Sequence, residues 1–378
     1  MSDNAPLKTL EHETQSGLVV AHAELDVPST LNSLSLEMTR LLDRALQTWR
    51  EDERVCGVLI TGAGDKAFCA GGDIQALYHA MGANHRAGQV VDDYPFRFFE
   101  EEYRLDYLIH TYPKPLITIG HGIVMGGGLG IFGASQFKVL TEKSRLAVPE
   151  ITIGLFPDAG ASWTLKKMPV HLAAFLGLTG SHANAADALH AGMGDYVVDH
   201  DARTRVVDGI LGLSWGGDVD ADTQMLDDYL SSIQTPPLPA SELQNIPPWD
   251  IPLQGPSDLA SLVSIVEHIY SLGGTSSWVD RGIGNLKNGC PTTAGIVVEQ
   301  LHRVQDMALA DTFRMELTVG THCANNRDFH EGVRALLIDK DNQPDWSYGE
   351  IGALDWQHVM SHFEEPWADH PLADLGDA

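Results

Sequence analysis

The amino-acid sequence predicts an α/β core followed by a mainly α-helical region. Three features carry that prediction: apolar strand-like runs alternate with amphipathic helices in the first part of the chain, glycine-rich turns recur between them, and strand patterns become scarce after residue 200 while helical spacing continues. At 378 residues the chain is long enough for two folding units at roughly 150 residues each.

The opening unit is a strand from Leu18 to Leu25, where apolar residues alternate loosely. A helix beginning near Ser35 follows, with Met38, Leu41, Leu42, Ala45, Leu46 and Trp49 on one face. Next comes the compact apolar run Val55 to Thr61, closed by Gly62-Ala63-Gly64-Asp65; a second glycine pair, Gly71-Gly72, precedes a helix starting near Asp73. A third unit repeats the order, with helix Pro95 to His110, strand Pro115 to Gly120, and the Gly126-Gly127-Gly128 turn opening an apolar helix. Short helices and a last strand, Asp195 to Val198, end the core. Seven of the 19 prolines fall between Pro236 and Pro256, a density that forbids helix interior and reads as a stiff linker or extended wrapping segment. Helices are expected over Asp258–Gly273, Thr292–Met307, Leu309–Asn325 and Asp328–Ile338. The expected division is thus a core at 1–205 and a mainly helical region at 206–378 that includes the proline-rich linker at 236–256.

The formal net charge of −28 repels nucleic-acid phosphate and anionic lipid at long range, which sets aside partners of both kinds. With 43% hydrophobic and 20% charged residues the chain has the composition of a folded globular protein rather than a disordered one. Cys56, Cys69, Cys290 and Cys323 are scattered with no CxxC pair, which argues against a disulfide framework or a zinc site. Together with a polar Met1 to Gln15 that matches no targeting pattern, they point to the cytoplasm. Leu116 to Ala134 has the length of a membrane span, but its seven glycines and His121 argue against one. No HExxH spacing and no G-x-S-x-G elbow is present, so neither a metal site nor a serine triad has support.

Two glycine clusters mimic a dinucleotide fingerprint, Gly62-Ala63-Gly64 after a strand and Gly128-Leu129-Gly130-Ile131-Phe132-Gly133. The first does not enter its helix at once and the second lies inside one, so neither has the required context. Both clusters can instead present backbone N–H groups at helix starts, the makings of an oxyanion hole, or simply permit tight turns and close helix packing. The segment Val148 to Gly160 holds Glu150 and Asp158 in an apolar loop shaped by proline and glycine. Desolvation there raises a carboxylate pKa toward the range of a general base or acid. The plain alternatives are that Asp158 caps the helix starting near Gly160 and Glu150 is a surface residue. Cys69 reads as a buried packing residue, and His121 and His330 as core hydrogen-bonding groups.

Taken together, Ala67-Phe68-Cys69-Ala70-Gly71-Gly72-Asp73-Ile74, His121 to Gly128, and the Pro149 to Gly160 loop resemble the enoyl-CoA hydratase/isomerase (crotonase) superfamily. Phe99-Glu100-Glu101-Glu102-Tyr103, Gly154-Leu155-Phe156-Pro157-Asp158 and Asp328 to Ala335 are most similar to its 3-hydroxyisobutyryl-CoA hydrolases. The resemblance implies a crotonase-type (ClpP/crotonase) spiral of ββα units, with the acyl thioester carbonyl held by the N–H groups of Gly72 and Gly127. It implies Glu150 and Asp158 as catalytic, and Glu102, Lys66, Ala70, Asp73 and Ile74 as substrate-binding positions. It implies hydrolysis of an acyl-CoA thioester, with no metal or redox cofactor and coenzyme A present only as part of the substrate. The late helices are expected to pack between subunits of a homo-oligomer. One position that is acidic in typical hydratases is Gly130 here, which favours hydrolysis over hydration of a double bond. Gln75 stands where a cation often follows Asp73-Ile74, leaving Lys66, with Lys166 or Lys167, as the candidates for the CoA phosphates.

Overall fold

A computed structural model describes residues 5–251 and 257–376. The chain divides into two compact units, each assembled from separate stretches: 1–72, 105–146 and 183–241 form the first; 73–104, 147–182 and 242–378 form the second.

The first unit contains a six-stranded sheet. Its strands are β1 (Leu7–Glu13), β2 (Val19–Leu25), β3 (Val55–Gly62), β5 (Leu116–Gly120), β7 (Phe137–Thr141) and β10 (Tyr196–Val198), in the order β1-β2-β3-β5-β7-β10. All neighbours are parallel except β1, which pairs antiparallel to β2 from Leu7↔Leu25 to Glu13↔Val19. A second sheet is made of short strands, β4 (Ala67–Cys69), β6 (Ile123–Met125), β8 (Arg145–Ala147) and β9 (Ala183–Asn184), in that order. Long strand, short strand, helix is the repeat. β3 and β4 lead to helix Ile74–Ala87, and β5 and β6 lead to helix Gly127–Ala134. β2, β3 and β5 read as near-continuous buried runs because a parallel sheet is covered on both faces.

The expected boundary at 205/206 is not a boundary of the molecule. It falls inside helix Arg203–Leu211, whose Val206 and Ile210, with Trp215 and with Leu226 and Leu230 of helix Val219–Ser232, join Leu59, Ile117 and Val139 of the sheet in one core. The Trp215 indole N–H donates to the Ile210 carbonyl at 2.8 Å, so the ring is buried with its polar group satisfied. Of the 236–256 segment, Pro252 to Pro256 lie outside the described residues. The part up to Ile251 carries no helix beyond the single turn Leu243–Asn245.

The second unit is helical. Leu259–Ser271, Pro291–Val304, Leu309–Asn325 and Arg327–Val333, the last continued by a π turn over Arg334–Ile338, fall where helical spacing predicts them. Among the described residues no helix is long and apolar enough to cross a membrane.

Candidate active site

In the first unit the two glycine turns follow parallel short strands. β4 ends at Cys69, and Gly71 then takes a φ of +105°, open only to glycine. β6 ends at Met125, and Gly126 turns the chain into helix Gly127–Ala134. A Cβ on Gly128 would lie 2.3 Å from the Cys69 carbonyl oxygen, and one on Gly71 3.4 Å from that of Met125. The turns therefore lie against each other, and close packing accounts for the missing side chains. The same geometry leaves donors: Gly127 opens its helix, where N–H groups have no intrahelical acceptor, and the bridge beside Gly72 is made from the Leu34 N–H to the Gly71 carbonyl at 2.8 Å. Ala70 is fixed by its N–H on the Leu31 carbonyl at 3.1 Å, and Lys66 is exposed. Cys69 is buried and packs as expected. The His121 ring is held neutral by burial, its pKa pushed down to about 4, and a backbone hydrogen bond at Gly64 gives it the core role expected, although its Nε2 lacks a partner.

The second unit gathers Glu102, Glu150 and Asp158 together with a fourth carboxylate, Glu316; they are 2%, 4%, 6% and 0% exposed. Glu150 heads a single helical turn, Glu150–Thr152, entered from Pro149. Its burial rules out the surface alternative, and its Oε2 has no hydrogen-bond partner, as is true of Glu102 Oε1. Asp158 does not cap the next helix, Ala161–Lys166, which has no cap from its own N-terminal residue; its Oδ2 instead accepts the Tyr103 hydroxyl at 2.7 Å. The helix Tyr94–His110 thus supplies Glu102 and Tyr103 from adjacent positions. Burial is the first cause of every pKa shift here. It pushes Asp158 up to about 6 against the Tyr103 hydrogen bond, and Glu316 up to about 8. Glu150 rises well above the usual range, with the charge of Asp158 adding to the effect, and Glu102 rises with Asp158, Glu316 and Glu150 all contributing. Such a set binds protons more tightly than carboxyls in solvent do.

The late motif seats this loop. A Cβ on Gly154, whose φ is +73°, would lie 2.5 Å from the Asp328 carbonyl oxygen, and one on Gly332 2.3 Å from that of Ile153. The Asp328 carboxylate accepts from the Ser347 N–H at 2.7 Å, the Ser347 hydroxyl at 2.8 Å and the Thr292 hydroxyl at 2.9 Å. His330 stacks on Tyr78 with ring centroids 4.3 Å apart.

Asp73 is a helix cap, its side chain accepting the Ala76 N–H at 3.1 Å, and Ile74 is the first residue of that helix. Lys166 donates to the Met307 carbonyl at 2.8 Å, and with Lys167 it lies over the Trp163 ring. Sequence reasoning missed Glu316 and the hydroxyl of Tyr103. A signal for the first exists: Glu316 stands on the stripe Phe313, Leu317, Gly320, Ala324, where an acid on an apolar helix face needs a partner.

A repeat of long strand, short strand and helix, with glycine turns after the short strands and buried carboxylates in the helical unit, defines the crotonase-type class of α/β proteins. The model of the enoyl-CoA hydratase/isomerase family matches residues 20–363. Proteins named 3-hydroxyisobutyryl-CoA hydrolase, mitochondrial, are similar: that of Danio rerio is 34% identical over 90% of this chain and 85% of its own length, and that of Bos taurus 32% over 96% and 90%. Among solved structures, a carnitinyl-CoA dehydratase from Mycobacterium thermoresistibile matches with a TM-score of 0.82 and 28% identity over 99% of this chain and 100% of its own. An enoyl-CoA hydratase from Rhodobacter sphaeroides matches at 0.77 and 25%, over 95% and 97%. This chain belongs to the enoyl-CoA hydratase/isomerase family.

Proposed function

We propose that the chain is an acyl-CoA thioester hydrolase, converting 3-hydroxyisobutyryl-CoA and water to 3-hydroxyisobutyrate and CoA, a step of valine breakdown. The observation that carries this reading is Glu150, a buried carboxylate on a single helical turn with an oxygen lacking any partner, in a chain similar over nine-tenths of its length to hydrolases of that name. In the proposed reaction the Gly72 and Gly127 N–H groups receive the charge that develops on the thioester oxygen. A Glu150 oxygen attacks the carbonyl carbon, the C–S bond breaks, CoA leaves as the thiol with a proton from the site, and water cleaves the resulting anhydride. In the second route Glu150 takes a proton from the water that attacks directly. Asp158 binds the 3-hydroxyl or assists the departing sulfur, and Glu102 fixes the water. Coenzyme A enters only with the substrate, and no other cofactor takes part.

Hydration of an enoyl-CoA is the competing reading, supported by the name of the Rhodobacter sphaeroides structure. Gly130, buried within its helix, offers no carboxylate where that chemistry has one. Thiol release from 3-hydroxyisobutyryl-CoA, with crotonyl-CoA hydration followed in parallel, tests the choice: thiol without hydration is expected, and hydration without thiol would overturn the hydrolase. Oxygen-18 entering Glu150 under single turnover in labelled water selects the anhydride route. Four buried cysteines support a reducing compartment, as in the cytoplasmic location expected above, whereas the similar hydrolases are named as mitochondrial. A homo-oligomer belongs to the same reading, and light scattering would measure it.

A further inference from the structure

The turn that presents Asp158 contains two consecutive left-handed residues, Ala159 at φ +53° and Gly160 at φ +77°. An alanine keeps that conformation only where its surroundings over-determine it. Here they do. Glu316, from helix Leu309–Asn325, accepts the Gly160 N–H on Oε2 at 2.7 Å and the Ser162 N–H on Oε1 at 3.0 Å. Gln300, from helix Pro291–Val304, donates its amide to the Pro157 carbonyl and the Ser162 hydroxyl. The backbone is therefore gripped on both sides of Asp158-Ala159, and the Asp158 side chain is gripped by Tyr103. An acidic side chain is a costly thing to bury merely to start a helix of 6 residues. With both oxygens committed to amides that follow a strained alanine, and Gln300 holding the Pro157 carbonyl before it, it fixes the direction in which Asp158 is offered.

We propose that Glu316 is a positioning residue that acts through Asp158, holding the Pro157–Gly160 turn so that the Asp158 carboxylate meets the substrate in one orientation. The inference rests on the thioester hydrolysis proposed above. Glu316→Gln keeps the shape but turns an NH₂ toward one of the two N–H donors, so the grip fails on one side. Thiol release by wild type, Glu316→Gln, Asp158→Asn and the double variant tests it. Glu316→Gln should lower kcat by about 10²-fold with a smaller change in KM, the size of effect that misplacing a reacting group produces. In the Asp158→Asn background the same change should cost under about threefold, because its target is already gone. Glu316→Asp, which keeps both acceptor oxygens, should recover part of the rate. Losses that multiply in the double variant would overturn the proposal.

Amide hydrogen exchange reads the grip without activity: Glu316→Gln, or Glu316→Asp should the first not fold, should lose protection selectively at Gly160 and Ser162. Unchanged protection there would also overturn the proposal. A wild type that releases no thiol is a failure of the proposed function, and the exchange experiment then decides the positioning alone.

Discussion

Tyr103→Phe isolates one hydrogen bond in the carboxylate set. The hydroxyl donates to Asp158 Oδ2 at 2.7 Å and stabilises the charged form of a carboxylate that burial has already pushed up to about 6. Hydrogen bonds to charged groups contribute about 1.5–3 kcal/mol, and about 1.4 kcal/mol corresponds to one pKa unit. Removing the hydroxyl should therefore raise Asp158 by about 1–2 units, to between about 7 and about 8. The sign for stability follows. A carboxyl whose folded pKa lies above its unfolded value near 3.8 favours the fold below that value and loses the benefit as pH rises through the folded pKa. Tyr103→Phe widens the gap, so its destabilisation should grow by about 1.5–3 kcal/mol between pH 4 and pH 9. Carbon-13 NMR of labelled aspartate carboxyls, with Asp158→Asn to assign the signal, reads the midpoint directly, and denaturant unfolding across the same range reads the stability. An Asp158 midpoint that stays in place or falls would refute the role given to Tyr103.

Burial and the neighbouring Asp158 charge raise Glu150 well above the ordinary 4.5, and the proposed reaction uses its carboxylate form, so kcat/KM should fall with acid through a limb above that range. Asp158→Asn, by removing the like charge, should move the limb of whatever rate remains to lower pH in a pH–rate profile. Gly154→Ala and Gly192→Ala both force alanine to a φ of +73°, but only at Gly154 would the Cβ meet backbone, 2.5 Å from Asp328 O. Calorimetry should show Gly154→Ala the less stable by at least about 2 kcal/mol; equal losses would mean that the late motif does not seat the loop. Against a net charge of −28, CoA phosphates need local cations, so substrate affinity should weaken with salt, and Lys66→Ala should flatten that dependence in binding titrations.

The elements readable from sequence were those with a period long enough to show. The helix from Ser35, the run Val55 to Thr61 and helix Leu309–Asn325 all stand where their patterns put them. β4, β6 and β8 have 3 residues each, too few to show an alternation, so the second sheet could not be seen although its glycine turns could. β1 lay hidden because it is an edge strand with mostly exposed positions. The division into units escaped because each is built from three separate stretches, and the helices at 203–211 and 219–232 complete a core that their pattern alone does not locate. Glu150 and Asp158 were legible as charges in an apolar loop. Glu316 meets Gly160 across 156 positions of sequence, and nothing local announces that partnership.

The central claim is that Glu150 carries thioester hydrolysis. Its most direct test is single-turnover thiol release from 3-hydroxyisobutyryl-CoA by wild type and Glu150→Gln, with substrate binding measured on both. The account predicts release reduced by about 10²–10⁴-fold in the variant with substrate still bound. Release that survives the substitution at the wild-type rate would contradict it.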